Sequence, residues 1–209
     1  MTSDTTVREA PGRPARTGLL RIERVEEPPP KPVRLADLIG VAGVRPATPD
    51  GCPVVLMRPA AGRALRPDSF PADSEQGGFL LGRRFRDADA PQRTVLEVTE
   101  ARAARGTGSR CTFTFPAESF LRVGRLVANS TDIELLGWYH THPVAVYPGH
   151  GMSDMDVELH RTVFRRPWQI AVLVNLEPSC RGLRMFRLAG GRFHDIPFTG
   201  VRRAGAVVA

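Results

Sequence analysis

Short apolar or alternating segments, separated by glycine and proline, recur along the chain between residues 52 and 198. Alternation of apolar and polar residues predicts a strand, whereas apolar residues three or four positions apart predict a helix. Helices are accordingly predicted over residues 116–128 and 153–165. The continuous apolar run over residues 168–176 is typical of a strand that is covered on both faces. The other predicted strands are residues 53–57, 78–82, 94–99, 111–115, 133–142, 183–188 and 193–198.

The order of these elements indicates the fold class α/β, with a central mixed β-sheet flanked by helices, over residues 51–200. Residues 1–50 differ from this domain because they contain eight prolines and few aromatic residues. They are predicted to form a partly disordered N-terminal extension with one short amphipathic turn over residues 35–39. The extension is either a flexible tail or an arm that docks on a partner, and residues 201–209 form a C-terminal tail.

The chain of 209 residues carries a formal net charge of +7, which raises the question of nucleic-acid binding. Its basic residues are nearly all arginines and are scattered rather than grouped, so nucleic acid is not an expected partner. Three widely spaced cysteines, without a Cys-x-x-Cys pair, disfavour both a disulfide framework and a cysteine-rich zinc site. No apolar run reaches the ~18–20 residues that span a bilayer, so we expect a soluble cytoplasmic protein.

The segment Gly137-Trp-Tyr-His-Thr-His-Pro143 carries the strongest chemical signal in the chain. Residues two apart on a strand project from the same face, so His140 and His142 are predicted to lie side by side. Two neighbouring imidazoles suit a tetrahedral metal ion such as Zn²⁺. Paired histidines at the end of a strand can also be solvated and inert, and the spacing alone does not decide between these interpretations.

A helix start is predicted at Ser153-Asp-Met-Asp156, because Ser followed three residues later by an acid is a helix-capping pattern. The cap places Asp156 on the first helical turn, where its carboxylate can reach the end of the preceding strand. Two histidines and one aspartate supply three ligands and leave a fourth position open, as in catalytic zinc sites. Hydrolysis also needs a base, for which Glu75 is a candidate, although its position in the sequence fits a surface acid equally well.

Weaker signals surround these residues. His160 lies one helical turn after the aspartate and is a candidate for a supporting contact. Trp138 shares a strand face with the two histidines, and packing beneath them is expected. His150 is either a solvated loop residue or an alternative ligand, and Cys111 and Cys180 are expected in the core.

Three motifs, taken together, resemble the JAMM (MPN+/Mov34, JAB-domain) family of zinc metalloproteases over roughly residues 53–198. The resemblance implies a JAB/MPN fold, similar to that of the cytidine deaminases, with one Zn²⁺ per chain. The loop over residues 144–152 is longer than is common in the family, which leaves the ligands unchanged but alters the rim that would face a substrate. The motifs are Glu75-x-x-Gly-Phe-Leu-Leu-Gly82, His140-Thr-His142-Pro143 and Ser153-x-x-Asp156.

The same resemblance implies a role for each site residue. His140, His142 and Asp156 would bind Zn²⁺. Glu75 would act as general base and then as general acid, passing the proton of a water to the departing amine. Ser153 would donate a hydrogen bond to the developing oxyanion.

The implied function is that of a zinc-dependent isopeptidase or peptidase that hydrolyses an amide bond at the C-terminus of a ubiquitin-like protein, for deconjugation or precursor processing. Expected partners are a ubiquitin-like or sulfur-carrier protein substrate and E1-like or E2-like conjugation proteins. Three alternatives stay open: release of an amino acid from a sulfur-carrier protein, a non-catalytic MPN-type scaffold subunit, and a DNA-associated role by analogy with RadC proteins. The scaffold alternative is disfavoured because such subunits usually lack one or more of the site residues.

Overall fold

The computed structural model describes residues 29–39, 51–144 and 151–200, which form a mixed β-sheet with helices packed against it. The predicted α/β class is therefore confirmed. The helices are α1 Leu35–Ile39, α2 Pro59–Ala64, α3 Ala117–Ala128 and α4 Asp154–Val163, with 3-10 turns at Pro67–Ser69 and Pro178–Cys180. The strands are β1 Lys31–Val33, β2 Val54–Met57, β3 Gly77–Asp87, β4 Thr94–Ala103, β5 Thr107–Gly108, β6 Phe113–Thr114, β7 Glu134–His142, β8 Ile170–Asn175, β9 Gly182–Ala189, β10 Arg192–Asp195 and β11 Phe198–Gly200.

Nine of these strands form one sheet in the spatial order β10-β9-β8-β7-β3-β4-β2-β11, with β1 paired to the far end of β3. The sheet is mixed at its centre, because β7 runs antiparallel to β3 and parallel to β8. Strands β5 and β6 form a separate two-stranded ribbon. The ribbon follows β4 along the chain, leads into α3 and lies against the start of β3, where Phe113 is close to Gly77.

The two faces of the sheet are covered by different helices. On β2, Val55 and Met57 pack into the core cluster that includes α2, whereas Val54 and Leu56 face the opposite side. Helices α3 and α4 pack on that opposite side, where Val123 of α3 joins the second core cluster. Both faces of β8 are therefore covered, and all of its residues are buried, as its continuous apolar run predicted.

Three differences from the predicted elements have identifiable physical reasons. Strand β3 continues through a polar second half, because Arg83 and Arg84 form ion pairs with Glu97 of β4 and Glu134 of β7. The predicted strand over residues 193–198 divides at Pro197, which has no N–H to donate to a ladder. The predicted strand over residues 111–115 contracts to β6, which pairs with β5 rather than with the main sheet.

The cysteines lie in different environments and are all free. The expectation that Cys111 and Cys180 are core residues was wrong. Cys111 is exposed in the loop between β5 and β6, and Cys180 is half-buried in a 3-10 turn. Cys111 lies in the loop of a two-stranded ribbon and Cys180 at the end of a 3-10 turn, so neither belongs to a strand of the main sheet.

Residues 29–39, which the sequence places in the N-terminal extension, contribute to the sheet and its core. Strand β1 pairs in parallel with the end of β3. Helix α1 packs the fully buried Leu35 against Val54, Leu56 and Val95, which would otherwise be exposed to water. The rest of residues 1–50, the tail over residues 201–209 and residues 145–150 of the longer loop lie outside the described residues. No helix in the described part of the chain is long and apolar enough to cross a membrane.

The contribution of the N-terminal segment can be measured on the full chain. Leu35→Ala removes a fully buried side chain and is expected to lower the free energy of unfolding by about 2–5 kcal/mol. Leu38→Ala, on the same helix but only partly buried, is the matched control and should cost less. Urea denaturation measures both values. Equal stability of wild type and Leu35→Ala would contradict the packing of α1 on the sheet.

Candidate metal centre

The central strand β7 carries both predicted histidines at its end. Alternation along β7 turns Trp138, His140 and His142 toward the side of α3 and α4, whereas Tyr139 packs into the cluster on the other face. His140 is paired with Gly77 of β3 on one side and with β8 on the other. The sheet therefore holds the backbone of His140 from both sides, whereas the backbone of His142 pairs with Asn175 of β8.

Three predicted ligands converge at this end of β7. The Nε2 atoms of His140 and His142 are 2.9 Å apart, and Oδ1 of Asp156 is 3.5 Å from Nε2 of His140. One ligand atom from each residue lies within 4.8 Å of the others. Both histidines are buried, and 13% of the Asp156 side chain is exposed. These residues form a group that can bind a metal ion.

The charge state of this group suits a cation. Burial lowers the pKa of His140 below its usual value, against an opposing effect of the negative charge of Asp156. A neutral imidazole has a lone pair to offer, which metal binding requires. The two Nε2 atoms and a carboxylate oxygen face one another at short distances, so a shared cation could bind all three together.

Asp156 owes its orientation to the start of α4. Its Oδ2 atom accepts hydrogen bonds from the backbone N–H and from the hydroxyl of Ser153, each at 2.7 Å. The backbone N–H of Asp156 in turn donates to Oγ of Ser153 at 3.3 Å, which completes the predicted capping box. Because the cap engages Oδ2, the other oxygen, Oδ1, faces His140. One carboxylate thus serves the helix cap with one oxygen and offers the other as a candidate metal ligand.

Glu75 reaches the group through the pairing of β3 with β7. The N–H of Thr141 donates to the carbonyl of Gln76 at 2.8 Å, and the N–H of Gln76 donates to the Thr141 hydroxyl at 2.9 Å. This register places the neighbouring Glu75 beside the end of β7. Glu75 is 4% exposed, so it is a buried acid and not a surface one. Burial, together with the negative charge of Asp156, raises the pKa of Glu75 to about 7.

The β5–β6 ribbon holds Glu75 from a second direction, a contact that sequence reasoning missed. The N–H of Glu75 donates to the carbonyl of Ser109 at 2.7 Å. Gly108 approaches so closely that a Cβ atom there would lie 1.8 Å from the carbonyl oxygen of Glu75. Only glycine fits this position without a shift of the backbone. The spacing Gly106-Thr-Gly108 was the available signal, but it marks a turn as readily as a close contact.

All five predicted site residues line one cavity of about 940 Å³. The metal-binding group, Glu75 and Ser153 form its polar part. Exposed Cys111, which sequence reasoning placed in the core, also lines it. His150, considered as an alternative ligand, lies outside the described residues. The remaining lining is largely apolar and includes Phe113, Phe115, Phe120, Met152, Met155, Leu159 and Val163.

No protein-family model matches the chain, and no curated protein matches it. Among solved structures, it is similar to the solution structure of protein DSY2949 from Desulfitobacterium hafniense, with a TM-score of 0.50 and 18% sequence identity. The similarity covers 70% of this chain and 92% of that chain. At this identity the likeness concerns the fold alone, and it agrees with the α/β class.

Glu75→Gln is expected to change the pH dependence of stability in the metal-free protein. A carboxyl whose pKa rises from 4.5 to about 7 on folding binds more protons in the folded state, so wild type loses stability as the pH rises through this window. The glutamine variant lacks this loss. Its free energy of unfolding minus that of wild type should therefore increase between pH 4.5 and pH 7, by about 3 kcal/mol at most.

Urea denaturation at several pH values, with a chelator present, measures this difference. Glu177→Gln is the matched control, because Glu177 is a half-buried residue before the second 3-10 turn and does not line the cavity. A Glu75→Gln difference that stays constant with pH would contradict a Glu75 that holds its proton near neutrality.

Proposed function

We propose that this chain is a zinc-dependent isopeptidase or peptidase of the JAMM type, which hydrolyses an amide bond at the C-terminus of a ubiquitin-like protein. The observation that carries the proposal is the convergence of His140, His142 and Asp156 with the buried carboxyl of Glu75 in one cavity. Three ligands beside a buried acid are what metal-assisted hydrolysis needs. A JAB/MPN fold, similar to that of the cytidine deaminases, is part of the same proposal.

Zinc is the metal that this donor set favours. Two imidazoles and one carboxylate match the ligands of catalytic zinc sites, which use three protein ligands and keep one position open. Hard oxygen-seeking ions such as Mg²⁺ and Ca²⁺ prefer carboxylates, carbonyls and water to imidazole. The cavity adjoins all three ligands, so the open position would face the space in which a substrate can bind.

The chain supplies the proton chemistry through Glu75. Bound by the three ligands, Zn²⁺ would lower the pKa of a water toward ~7 and polarise a carbonyl oxygen. Glu75 would take up a proton from the attacking water at its carboxylate and deliver it to the departing amine. Its buried position brings its pKa close to neutral pH, where a group can both accept and return a proton.

Ser153 would stabilise charge on the substrate. In the structure its hydroxyl donates to Oδ2 of Asp156, and its backbone N–H donates to the same oxygen. The hydroxyl can therefore turn toward a developing oxyanion while the backbone N–H maintains the helix cap. A donor to an oxyanion contributes up to roughly 3 kcal/mol to stabilisation of the transition state.

Zinc content separates the ligand role from the base role. Wild type and Glu75→Gln are expected to carry about one Zn²⁺ per chain, and His142→Ala little, because only the last variant removes a ligand. Elemental analysis of protein purified without chelator and resupplied with zinc measures this. His194→Ala is the control, since His194 is exposed on β10. If wild type holds no zinc, the enzyme proposal fails and the scaffold alternative replaces it.

Cleavage assays test the substrate class. Zinc-loaded wild type is expected to cleave a ubiquitin-like protein of its own genome, presented as a C-terminal fusion or an isopeptide conjugate. Glu75→Gln should retain its zinc and lose activity by about 10²-fold or more, because it lacks a proton acceptor. Release of a single amino acid from a sulfur-carrier protein, without cleavage of larger conjugates, would support that alternative instead. Failure on all these substrates would contradict the proposed function.

A further inference from the structure

His160 is a buried histidine that the proposed chemistry does not use. It lies on α4, one turn after Asp156, and is 2% exposed. Its Nδ1 atom is 3.1 Å from Nε1 of Trp138. An indole N–H can only donate, so Nδ1 of His160 accepts and the imidazole is neutral. Burial lowers the pKa of His160 to about 4, which agrees with a neutral ring at physiological pH.

Trp138 connects this hydrogen bond to a candidate metal ligand. Its ring stacks on His140, with centroids 5.1 Å apart and planes inclined by 19°. It also stacks on Phe164 of the same core cluster, with centroids 5.8 Å apart and planes inclined by 24°. Stacking sets the plane of the indole, and the hydrogen bond to His160 at the ring edge helps to fix its position within that plane.

His140 needs support of this kind. A metal-bound histidine generally donates its second ring nitrogen to a carboxylate or carbonyl, which orients the ring. The Nδ1 atom of His140 has no hydrogen-bond partner among the residues that the structure describes. The stacked indole of Trp138 is therefore a contact that limits the orientation of this imidazole, together with the ring of His142, whose centroid is 4.7 Å away.

We infer that His160 is a positioning residue of the metal centre, which acts through the indole of Trp138 on the ring of His140. The inference rests on the proposed zinc centre. It assigns two roles to α4, which carries both the candidate ligand Asp156 and the hydrogen-bond acceptor His160. A shift of α4 would move Asp156 directly, and it would also loosen the ring of His140 through the lost contact between His160 and Trp138.

Binding of Co²⁺ tests the inference independently of activity, because the visible absorption of Co²⁺ reports both its affinity and its ligand geometry. His160→Leu removes the acceptor and is expected to weaken Co²⁺ binding by about 10–100-fold, with altered absorption bands. His160→Gln keeps an acceptor and should restore most of the affinity. Trp138→Phe removes the donor but keeps a ring, and should weaken binding as much as His160→Leu does.

The double variant tests whether His160 acts on the metal centre only through Trp138. His160→Leu is expected to cause no further loss of Co²⁺ affinity in the Trp138→Phe background. Val123→Ala, in the same core cluster but without a part in this hydrogen bond, controls for lost stability and should keep wild-type affinity. If His160→Leu fails to fold, Trp138→Phe and His160→Gln provide the comparison.

The outcomes distinguish the positioning role of His160 from the metal centre itself. Wild-type Co²⁺ affinity in folded His160→Leu or Trp138→Phe would overturn the positioning role and leave the metal centre standing. Additive losses in the double variant, or an equal loss in Val123→Ala, would also overturn it. A wild type that binds neither Co²⁺ nor Zn²⁺ would overturn the metal centre itself, and the positioning role with it.

Discussion

The antiparallel pairing of β3 with β7 is the constraint on which the candidate site depends, because it brings together residues that are far apart in the chain. Gly77 lies opposite His140, and Gln76 and Thr141 hydrogen-bond to each other, so Glu75 is placed beside the two histidines. A shift of this register by one residue would turn each side chain of one strand to the other face relative to its neighbours. The relative positions of the site residues therefore depend on backbone hydrogen bonds in the middle of the sheet.

The helix cap of α4 orients the third candidate metal ligand, Asp156, by local interactions. Ser153 and Asp156 satisfy each other's polar groups at the first turn, an interaction worth about 1 kcal/mol to a helix. The carboxylate uses one oxygen for this cap and presents the other to His140. A common helix-capping interaction thus also fixes the direction of a candidate metal ligand, and no further hydrogen-bond partner is needed for this.

Burial shifts the pKa values of the acids and bases of the site in opposite directions, and both shifts favour the uncharged form. It lowers the pKa of His140, so the imidazole stays neutral, and it raises the pKa of Glu75, so this carboxyl holds its proton up to nearly neutral pH. Both changes keep the net charge of the metal-free cavity small, as a poorly solvated environment requires. A divalent cation would reverse this balance, because its charge favours ionised carboxylates around it.

The sequence by itself determined the features that depend on a few neighbouring residues. Alternation along β7 places His140 and His142 on one face, the Ser153–Asp156 spacing predicts the capping box, and the apolar run over residues 168–176 predicts a strand buried along its length. These features follow from strand and helix geometry, which repeats every two or 3.6 residues.

Only the tertiary structure decided which distant residues meet. Glu75 is a buried partner of the metal-binding group and not a surface acid, because strand register and the close approach of Gly108 hold it there. His160 contacts Trp138, and Leu35 joins the core, for a similar reason. Such contacts depend on how separate segments pack against each other. A pattern confined to one segment carries no information about the surface that will cover it.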